Sequence, residues 1–319
     1  MKRALVTGAC GFVGAVLVRK LVSDGNEVHA IARPGSDTWR LRDLDQVKLH
    51  FLSLDDFDSL KACIAEVEPD WIFHLAAHGA YSWQNDMQQI IASNVTATAN
   101  VLECAHQYGV KAVVTAGSSS EYGYKTAPAK ESDWISPNSE YAVMKACATH
   151  LCGLYAATKG LRTATLRLYS IFGPYEDERR FIPTLIAHGL RGKLPPLVDP
   201  SVARDFVYVD DAVEAFLMTA RALEGKDGQP EIPPGSVFNV GLGKQYTIED
   251  VVTLVTELLE IKETPVWGSM QNRKWDTPSW VANNEKIQQE LGWKPKFDLR
   301  QGLLETIKWS RERQLTKQS

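Results

Sequence analysis

The sequence predicts an α/β fold, with a doubly wound parallel sheet and a smaller C-terminal α/β lobe. Short apolar runs alternate with amphipathic stretches through the first half of the chain. Strands that alternate with helices are typical of βαβ units, whose right-handed crossovers place the strands parallel to one another. Several of the runs are apolar throughout, as expected for strands that helices cover on both faces.

Six apolar runs are predicted to be strands, at residues 2–7, 27–32, 48–52, 71–75, 112–115 and 162–169. The stretches between them predict helices at residues 12–23, 59–66, 86–108 and 139–158. Beyond residue 173 the pattern changes, because prolines and glycines cluster at residues 192–200 and 225–235. We therefore expect one region at residues 1–172 and a smaller lobe at residues 173–319, with the two regions interleaved.

Composition and charge narrow the class of protein. The chain has 319 residues, of which 44% are hydrophobic and 23% are charged, as in ordinary globular proteins. The 35 basic residues are scattered and the net charge is −4, so neither a nucleic-acid surface nor a polybasic membrane surface is expected. No apolar stretch approaches the ~20 residues that span a bilayer, and glycines interrupt the apolar N-terminal run. The five cysteines show no CxxC spacing, so we expect a cytoplasmic protein with reduced thiols and no metal site.

Three glycines follow the first predicted strand in the run VTGACGFVG, residues 6–14. Gly8 permits a tight turn, Gly11 lets the backbone approach a pyrophosphate, and Gly14 lets the next helix pack closely against the sheet. The helix that begins at Phe12 and Val13 offers free N–H groups and the positive end of its dipole to phosphates. A glycine triplet alone is a weak signal. Its place between a predicted strand and a predicted helix favours a Rossmann-type dinucleotide site over a flexible turn.

The end of the second predicted strand bears on which nicotinamide dinucleotide is bound. Sites that select NAD(H) carry an acidic residue there, which hydrogen-bonds to the adenosine ribose. This chain has no acid at that end, and Arg33, together with Arg40, could pair with a 2′-phosphate. We therefore favour NADP(H) and keep NAD(H) as the alternative, because Arg33 is also explained as a surface residue of a variable loop.

Tyr141 and Lys145 lie four residues apart in a predicted helix, so the phenol and the ammonium group share one face. A nearby cation stabilises a phenolate, which can exchange a proton with a hydroxyl while a hydride leaves or arrives. The serine-rich segment at residues 117–123 follows a predicted strand, at the sheet edge where ligands bind. One of its hydroxyls could bond to the reacting carbonyl oxygen. Each motif also has an ordinary explanation, a solvated helix face for the first and a turn for the second.

Taken in order along the chain, these motifs resemble the extended short-chain dehydrogenase/reductase family, in its sugar-nucleotide epimerase, dehydratase and reductase branch. The resemblance covers nearly the whole chain and includes TGACGFVG, FHLAAHGA, GSSSEYG, YAVMK, LRLYSIFGP, ARDFVYVDDAVEA, FNVG, RKWD and LGWKP. It implies an NAD(P)-dependent enzyme whose Rossmann domain carries the catalytic residues. The C-terminal lobe is implied to bind a nucleotide-diphosphate sugar.

The resemblance also implies roles for single residues. Ser118, Tyr141 and Lys145 match the catalytic residues of the family, and Lys145 also matches the residue that holds the nicotinamide ribose. The residues expected to contact the cofactor are Gly8, Gly11, Phe12, Val13, Gly14, Arg33, Leu54, Leu75, Ala76, Ala77, Asn94, Tyr141 and Lys145. The residues expected to contact the substrate are Ser119, Glu121, Ser170, Arg204, Arg273 and Asp276.

Departures from the family pattern reduce the number of candidate reactions. The 4,6-dehydratases of the family carry an Asp-Glu pair after the catalytic hydroxyl, where this chain has Ser119 and Ser120. Hydroxyls without tuned pKa values are poor acids and bases, so a dehydratase is disfavoured. We expect an NADPH-dependent 4-ketoreductase of a nucleotide-linked 4-keto-6-deoxy sugar, because no acid ends the second strand. The alternative is an NAD-dependent 4-epimerase, which uses the same catalytic residues.

Two further expectations concern function class and assembly. A catalytically silent sensor that binds NADP(H) is a hypothesis of a different class, although such proteins commonly lack the tyrosine or the lysine. In relatives, the helices that match residues 86–108 and 139–158 form a four-helix dimer interface. The resemblance therefore implies a homodimer, while packing within one chain equally explains apolar residues on several faces of these helices.

Overall fold

A computed structural model describes residues 1–81, 83–225, 231–271 and 279–318. In chain order, its strands are β1 (Arg3–Thr7), β2 (Glu27–Ala32), β3 (Lys48–Phe51), β4 (Trp71–His74), β5 (Ala112–Ser118), β6 (Thr163–Leu168), β7 (Ser170–Phe172), β8 (Ala203–Arg204), β9 (Phe206–Tyr208), β10 (Ser236–Val240) and β11 (Tyr246–Thr247). Seven of them form one parallel sheet in the order β3-β2-β1-β4-β5-β6-β10. The other four form two short pairs, β7 with β9 and β8 with β11.

Helices cover both faces of this sheet. They are α1 (Phe12–Ser23), α2 (Phe57–Val67), α3 (Met87–Ile91), α4 (Ala97–Gln107), α5 (Glu140–Lys159), α6 (Phe181–Gly189), α7 (Val209–Glu224), α8 (Ile248–Leu258), α9 (Glu285–Leu291) and α10 (Leu299–Gln318). On one face α1 packs against α7, and on the other α4 packs against α2 and α5. The predicted doubly wound α/β architecture is therefore confirmed.

The apolar runs are continuous because both faces of each central strand are buried. In β1, Ala4 and Val6 belong to the hydrophobic cluster beneath α1 and α7, whereas Leu5 belongs to the cluster beneath α2 and α4. Successive side chains of a strand point to opposite faces, so a strand buried on both faces needs an apolar residue at every position.

The C-terminal half contributes to the main sheet as well as to the smaller lobe. β10 pairs in parallel with β6, and this edge strand was not among the six predicted from the first half. A cut between residues 172 and 173 therefore does not separate the two regions, because the chain returns to complete the sheet. The hydroxyl of Tyr122, in the serine-rich segment, donates to Asn239 Oδ1 of β10 at 2.7 Å. This hydrogen bond links the two segments.

The long helix predicted at residues 86–108 is interrupted. A π-helical segment at Ala92–Thr96 separates α3 from α4. The side-chain amide of Asn94 donates to the carbonyl oxygen of Ile90 at 2.8 Å, the acceptor that its backbone N–H would use in an α-helix. Single π-helical turns inside helices are frequent at functional positions.

Among the described residues, no helix combines the length and the apolar composition that crossing a membrane requires. The same residues hold no group of three or more histidine, cysteine or acidic side chains arranged to bind a metal ion. All five cysteines are free thiols, and three of them are buried.

Candidate active site

A cleft of about 590 Å³ opens where β1, β4, β5 and β6 end. Ligands of open α/β sheets bind at the carboxyl ends of the strands. The predicted residues that line the cleft are Gly8, Gly11, Phe12, Val13, Gly14, Leu75, Ala77, Ser118, Ser119, Tyr141, Lys145, Ser170 and Arg204. The structure therefore brings together the glycine turn, the serine-rich segment and the Tyr141–Lys145 motif.

The glycine turn has the shape that a dinucleotide pyrophosphate needs. Gly8 has a φ of +68°, and a Cβ atom there would lie 2.6 Å from the backbone nitrogen of Ala76. A Cβ atom on Gly14 would lie 2.2 Å from the carbonyl oxygen of Gly8, so only glycine lets α1 pack this closely. Gly11 precedes α1 and provides no capping side chain, which leaves the first N–H groups of the helix available to an anion. These residues fit a dinucleotide cofactor.

Buried polar groups hold the loop after β4 beside the glycine turn. Thr7 Oγ1 lies 2.7 Å from His74 Nδ1 and accepts a hydrogen bond from the backbone N–H of Ala76 at 3.3 Å. Burial lowers the pKa of His74 to about 3, so its imidazole is neutral. Asn94, which does not line the cleft, instead donates to the carbonyl of His78 at 2.7 Å and accepts from its N–H at 3.3 Å. Asn94 therefore positions the loop after β4 without lining the cleft itself.

Ser118 and Tyr141 face each other across the cleft. A side-chain hydrogen bond joins them and lowers the pKa of the phenol, but burial acts more strongly and raises it to about 12. The cation that lowers this pKa most is Arg180, not Lys145. Burial of Tyr141 outweighs the nearby cations, so the prediction that Lys145 keeps the phenol acidic is corrected. Ser118 Oγ also lies 2.7 Å from Ser120 Oγ.

Glu121 lies beneath the catalytic residues and does not reach the cleft. It is fully buried and accepts hydrogen bonds from the Ser118 backbone N–H at 2.8 Å, Thr149 Oγ1 at 2.9 Å and Arg167 Nε at 2.9 Å. Burial lowers the pKa of Lys145, and the negative charge of Glu121 acts in the opposite direction. The predicted contact between Glu121 and a substrate is therefore wrong. Glu121 instead supports Ser118 and the charge of Lys145.

Three predicted cofactor contacts also lie outside the cleft lining. Arg33 is exposed. Leu54 is 8% exposed within the hydrophobic cluster beneath α2 and α4, and its carbonyl accepts from Asn100. Ala76 packs against the same cluster. Arg40 is bound to the backbone, because its Nε and Nη1 atoms donate to the carbonyls of Tyr175 and Cys10 at 2.7 and 3.2 Å.

The residues in the C-terminal half that are predicted to contact the substrate fall into two groups. Ser170 and Arg204 line the cleft, whereas Arg273 and Asp276 lie outside the described residues. Trp280, which the sequence motifs did not indicate, donates from Nε1 to Ser119 Oγ at 3.0 Å. The guanidinium of Arg204 lies 5.5 Å from the centre of the Trp280 ring.

Sequence reasoning also missed Tyr81, Glu176 and Arg180, which line the cleft. Glu176 and Arg180 follow the LRLYSIFGP motif directly. In the sequence, the only indication of this pair was an acidic and a basic residue four positions apart, just after the end of a strand. Such pairs are common on protein surfaces, and only the burial of Glu176 distinguishes this one.

Comparison with known proteins decides the family. The NAD dependent epimerase/dehydratase family matches residues 4–241 of the chain. The chain belongs to this family. Within it, UDP-glucose 4-epimerase of Mycolicibacterium smegmatis is 29% identical over 323 residues, which cover 98% of this chain and 99% of that protein.

Two solved structures have the same fold as this chain. The Thermotoga maritima UDP-glucose 4-epimerase with UDP-glucose matches with a TM-score of 0.87 and 25% identity, covering 98% of this chain and 99% of that one. MoeE5 in complex with UDP-glucuronic acid and NAD matches with a TM-score of 0.82 and 32% identity, covering 97% and 99%. The prediction of a nicotinamide-dependent sugar-nucleotide enzyme is confirmed. These names match the 4-epimerase alternative better than the 4-ketoreductase that we first expected.

Proposed function

We propose that the chain is an NAD-dependent 4-epimerase of a UDP-linked hexose. The observation that carries this proposal is the pairing of Ser118 with Tyr141 in the cleft that also contains the glycine turn. A hydroxyl that faces a phenol is suited to bind a sugar hydroxyl and to move its proton. Relatives named as UDP-glucose 4-epimerases, which match almost the whole chain, support the choice of reaction and substrate.

The three catalytic residues have complementary tasks in this reaction. The bound cofactor would supply an acceptor for the hydride that leaves C4 of the sugar and, once reduced, a donor that restores a hydride to the opposite face of that carbon. Tyr141 takes the proton of the 4-hydroxyl and later gives it back. Ser118 donates a hydrogen bond to the same oxygen, whose negative charge grows as the proton leaves. Lys145, one turn further along α5, holds the ribose next to the nicotinamide.

The phenol of Tyr141 has to lose its proton before it can act as a base. Burial raises its pKa to about 12, which favours the protonated phenol near neutral pH. Ser118 and Arg180 are the groups that lower this pKa. Further positive charge or new hydrogen bonds to the phenolate would lower this pKa and favour Tyr141 as a base.

Of the two arginines that favoured NADP(H) in the sequence, Arg40 is poorly placed for a 2′-phosphate, because it already donates to two backbone carbonyls. Arg33 is exposed directly after β2 and does not line the cleft. A 2′-phosphate is usually held by arginine hydrogen bonds. MoeE5, which has NAD in its complex, supports the same cofactor for this chain.

Incubation of the purified protein with UDP-galactose and NAD⁺ tests the proposal. We expect UDP-glucose to form, without net consumption of the cofactor, and Tyr141→Phe to reduce turnover by about 10²-fold or more. Oxidation of NADPH by a UDP-linked 4-keto-6-deoxy sugar, with no epimerisation, would establish the ketoreductase instead. Cofactor binding without turnover of either substrate would favour the sensor hypothesis.

A further inference from the structure

A buried glutamate lies next to a partly exposed arginine in the cleft that contains the catalytic phenol. Glu176 and Arg180 both line the cleft, and Glu176 Oε1 is 3.6 Å from Arg180 Nε. Glu176 is only 7% exposed, and its Oε2 atom has no hydrogen-bond partner among the described residues. Leaving a buried carboxylate oxygen unpaired is costly, so such an atom is expected to receive a donor from a ligand.

The backbone next to Glu176 is fixed in an unusual conformation. Tyr175 has a φ of 70°, which is uncommon for a residue that carries a side chain. Its carbonyl accepts from Arg40, while its ring lies under the Arg19 guanidinium at 4.4 Å and 5.0 Å from the Trp309 ring. Backbone held away from its preferred conformation by its surroundings is concentrated at ligand-binding positions. These contacts fix the position of Glu176 before any ligand arrives.

The pair is close to the reacting end of the substrate. Arg180 is the cation that most lowers the pKa of the Tyr141 phenol, and its guanidinium lies 5.5 Å from the centre of the Tyr81 ring. In the proposed reaction the phenol contacts the sugar at C4. Because Glu176 and Arg180 line the same cleft as Tyr141, they are available to the substituents on the neighbouring ring carbons. One of these substituents is the C6 group, which is a hydroxymethyl in glucose and a carboxylate in glucuronic acid.

We propose, on the basis of the function proposed above, that Glu176 and Arg180 form a subsite for C6 that selects a neutral hydroxyl over a carboxylate. The C6 hydroxyl donates its hydrogen to the unpaired Oε2 atom of Glu176. Once Glu176 has lost its proton, above its raised pKa, its negative charge balances the positive charge of Arg180, so the pair offers no net positive charge to a second anion. A hexuronate would bring its carboxylate against the ionised carboxylate of Glu176, and like charges held close together weaken binding.

Binding of two UDP-sugars that differ only at C6 tests this subsite. UDP-glucose and UDP-glucuronic acid are titrated into the NAD-loaded protein by calorimetry at about pH 9, above the raised pKa of Glu176. We expect the unmutated protein to bind UDP-glucose at least about tenfold more tightly. Glu176→Gln keeps the size of the side chain and removes its charge. It is expected to reduce this preference by about tenfold or more.

Two other variants separate the subsite from general charge effects. Asp177→Asn removes the neighbouring carboxylate, which hydrogen-bonds to Arg179 and does not line the cleft. This control is expected to leave the preference unchanged. Arg180→Gln removes a group that lowers the pKa of Glu176, so this variant is titrated at a pH high enough to keep Glu176 ionised. Under that condition the charge of Glu176 is unbalanced, and the preference for UDP-glucose is expected to widen. Arg180→Gln also keeps the proposal testable if Glu176→Gln does not fold.

The outcomes distinguish this proposal from the proposed function. Equal binding of the two sugars by the unmutated protein, or a preference that Glu176→Gln leaves intact, would overturn the subsite even if the protein epimerises UDP-glucose. A loss of NAD affinity in Glu176→Gln, with the sugar preference unchanged, would place Glu176 at the cofactor and would also overturn it. A preference that depends on Glu176 in a protein without epimerase activity would retain the subsite and refute the epimerase. If neither sugar binds, both proposals are wrong.

Discussion

Glu121 and Glu103 each accept three hydrogen bonds, yet their surroundings differ completely. Glu121 is fully buried and pairs with Arg167, whose side chain is 5% exposed. Glu103 accepts from Gln107, Tyr155 and Lys159 on the surface, where its side chain is 28% exposed. Removing one partner of a buried ion pair leaves an uncompensated charge, whereas water replaces the partners of an exposed one.

Glu121→Gln is therefore expected to lower the free energy of unfolding by about 3–5 kcal/mol. It should also lower kcat, because the Ser118 N–H and the charge of Lys145 lose their support. Glu103→Gln, the matched control, is expected to cost less than about 1 kcal/mol and to leave kcat unchanged. Denaturant unfolding and epimerase assays of both variants check the prediction. Equal destabilisation by the two substitutions would contradict it.

The buried carboxyl of Glu176 makes stability depend on pH. Burial raises its pKa from 4.5 to about 8. Between these values the folded protein holds a proton that the unfolded chain has lost, so the free energy of unfolding falls as the pH rises and levels off above about 8.

Glu176→Gln should remove this component of the pH dependence. Relative to the variant, the unmutated protein is expected to lose at most about 1.4 kcal/mol per pH unit between pH 5 and about 8. Asp177→Asn is the control, because the contribution of Asp177 to stability changes with pH in the opposite direction. A hydrogen bond from Arg179 lowers the pKa of Asp177, so its stabilising contribution is present at neutral pH and lost in acid. Urea unfolding between pH 5 and about 8 measures the difference for Glu176→Gln, and unfolding below the ordinary pKa of 3.8 measures that for Asp177→Asn. Parallel curves for Glu176→Gln and the unmutated protein would refute the prediction.

At the scale of an element, α1 depends on how closely its first turn approaches the glycine turn. The Cβ position of Gly14 lies 2.2 Å from the Gly8 carbonyl oxygen, so any larger residue has to push the helix away. Gly153, inside α5, has nothing within 4 Å of its Cβ position. Close packing therefore requires glycine at position 14, whereas Gly153 only lowers the helix propensity of α5.

Gly14→Ala is expected to lower the free energy of unfolding by about 1–3 kcal/mol, as other overpacking substitutions do. It should also weaken NAD binding, because the N–H groups at the start of α1 move. Gly153→Ala should instead raise stability by up to about 1 kcal/mol and leave NAD binding unchanged. Thermal unfolding and calorimetric titration with NAD⁺ test the pair. A Gly14→Ala protein that binds NAD normally would show that the close approach is dispensable.

At the scale of the whole molecule, the homodimer implied by the family resemblance stays a prediction. Val143 and Leu154 of α5 are 38% and 54% exposed, and they are eleven residues apart, on one face of the helix. Apolar side chains exposed along one helix face suit an interface with a second copy.

Leu154→Asp is expected to convert a dimer into a monomer, since it would place a charge inside the interface. Leu304→Asp on α10, where the side chain is 46% exposed, is the control and should leave the assembly unchanged. Size-exclusion chromatography with light scattering gives the mass of each variant. A monomeric unmutated protein, or a dimer that survives Leu154→Asp, would contradict this interface.

The local parts of the fold and site could be predicted, and the long-range parts could not. The helix at residues 12–23 and the strand at residues 27–32 agree with α1 and β2, because capping, turns and apolar patterns act over neighbouring residues. β10 was missed because its partner, β6, lies about 70 residues earlier in the chain. Glu121 was misplaced because the pattern of a serine-rich turn does not report depth below the surface.

The sequence by itself determined the alternation of strands and helices, the glycine turn and the spacing of the Ser118, Tyr141 and Lys145 motifs. These features depend on contiguous segments, whose periodicity and residue types are visible without a fold. Only the tertiary structure decided that Glu121 lies beneath the site, that Arg40 is committed to backbone carbonyls and that Glu176 meets Arg180 in the cleft. Burial and electrostatic partners are set by segments far apart in the chain, and those come together only when the sheet has formed.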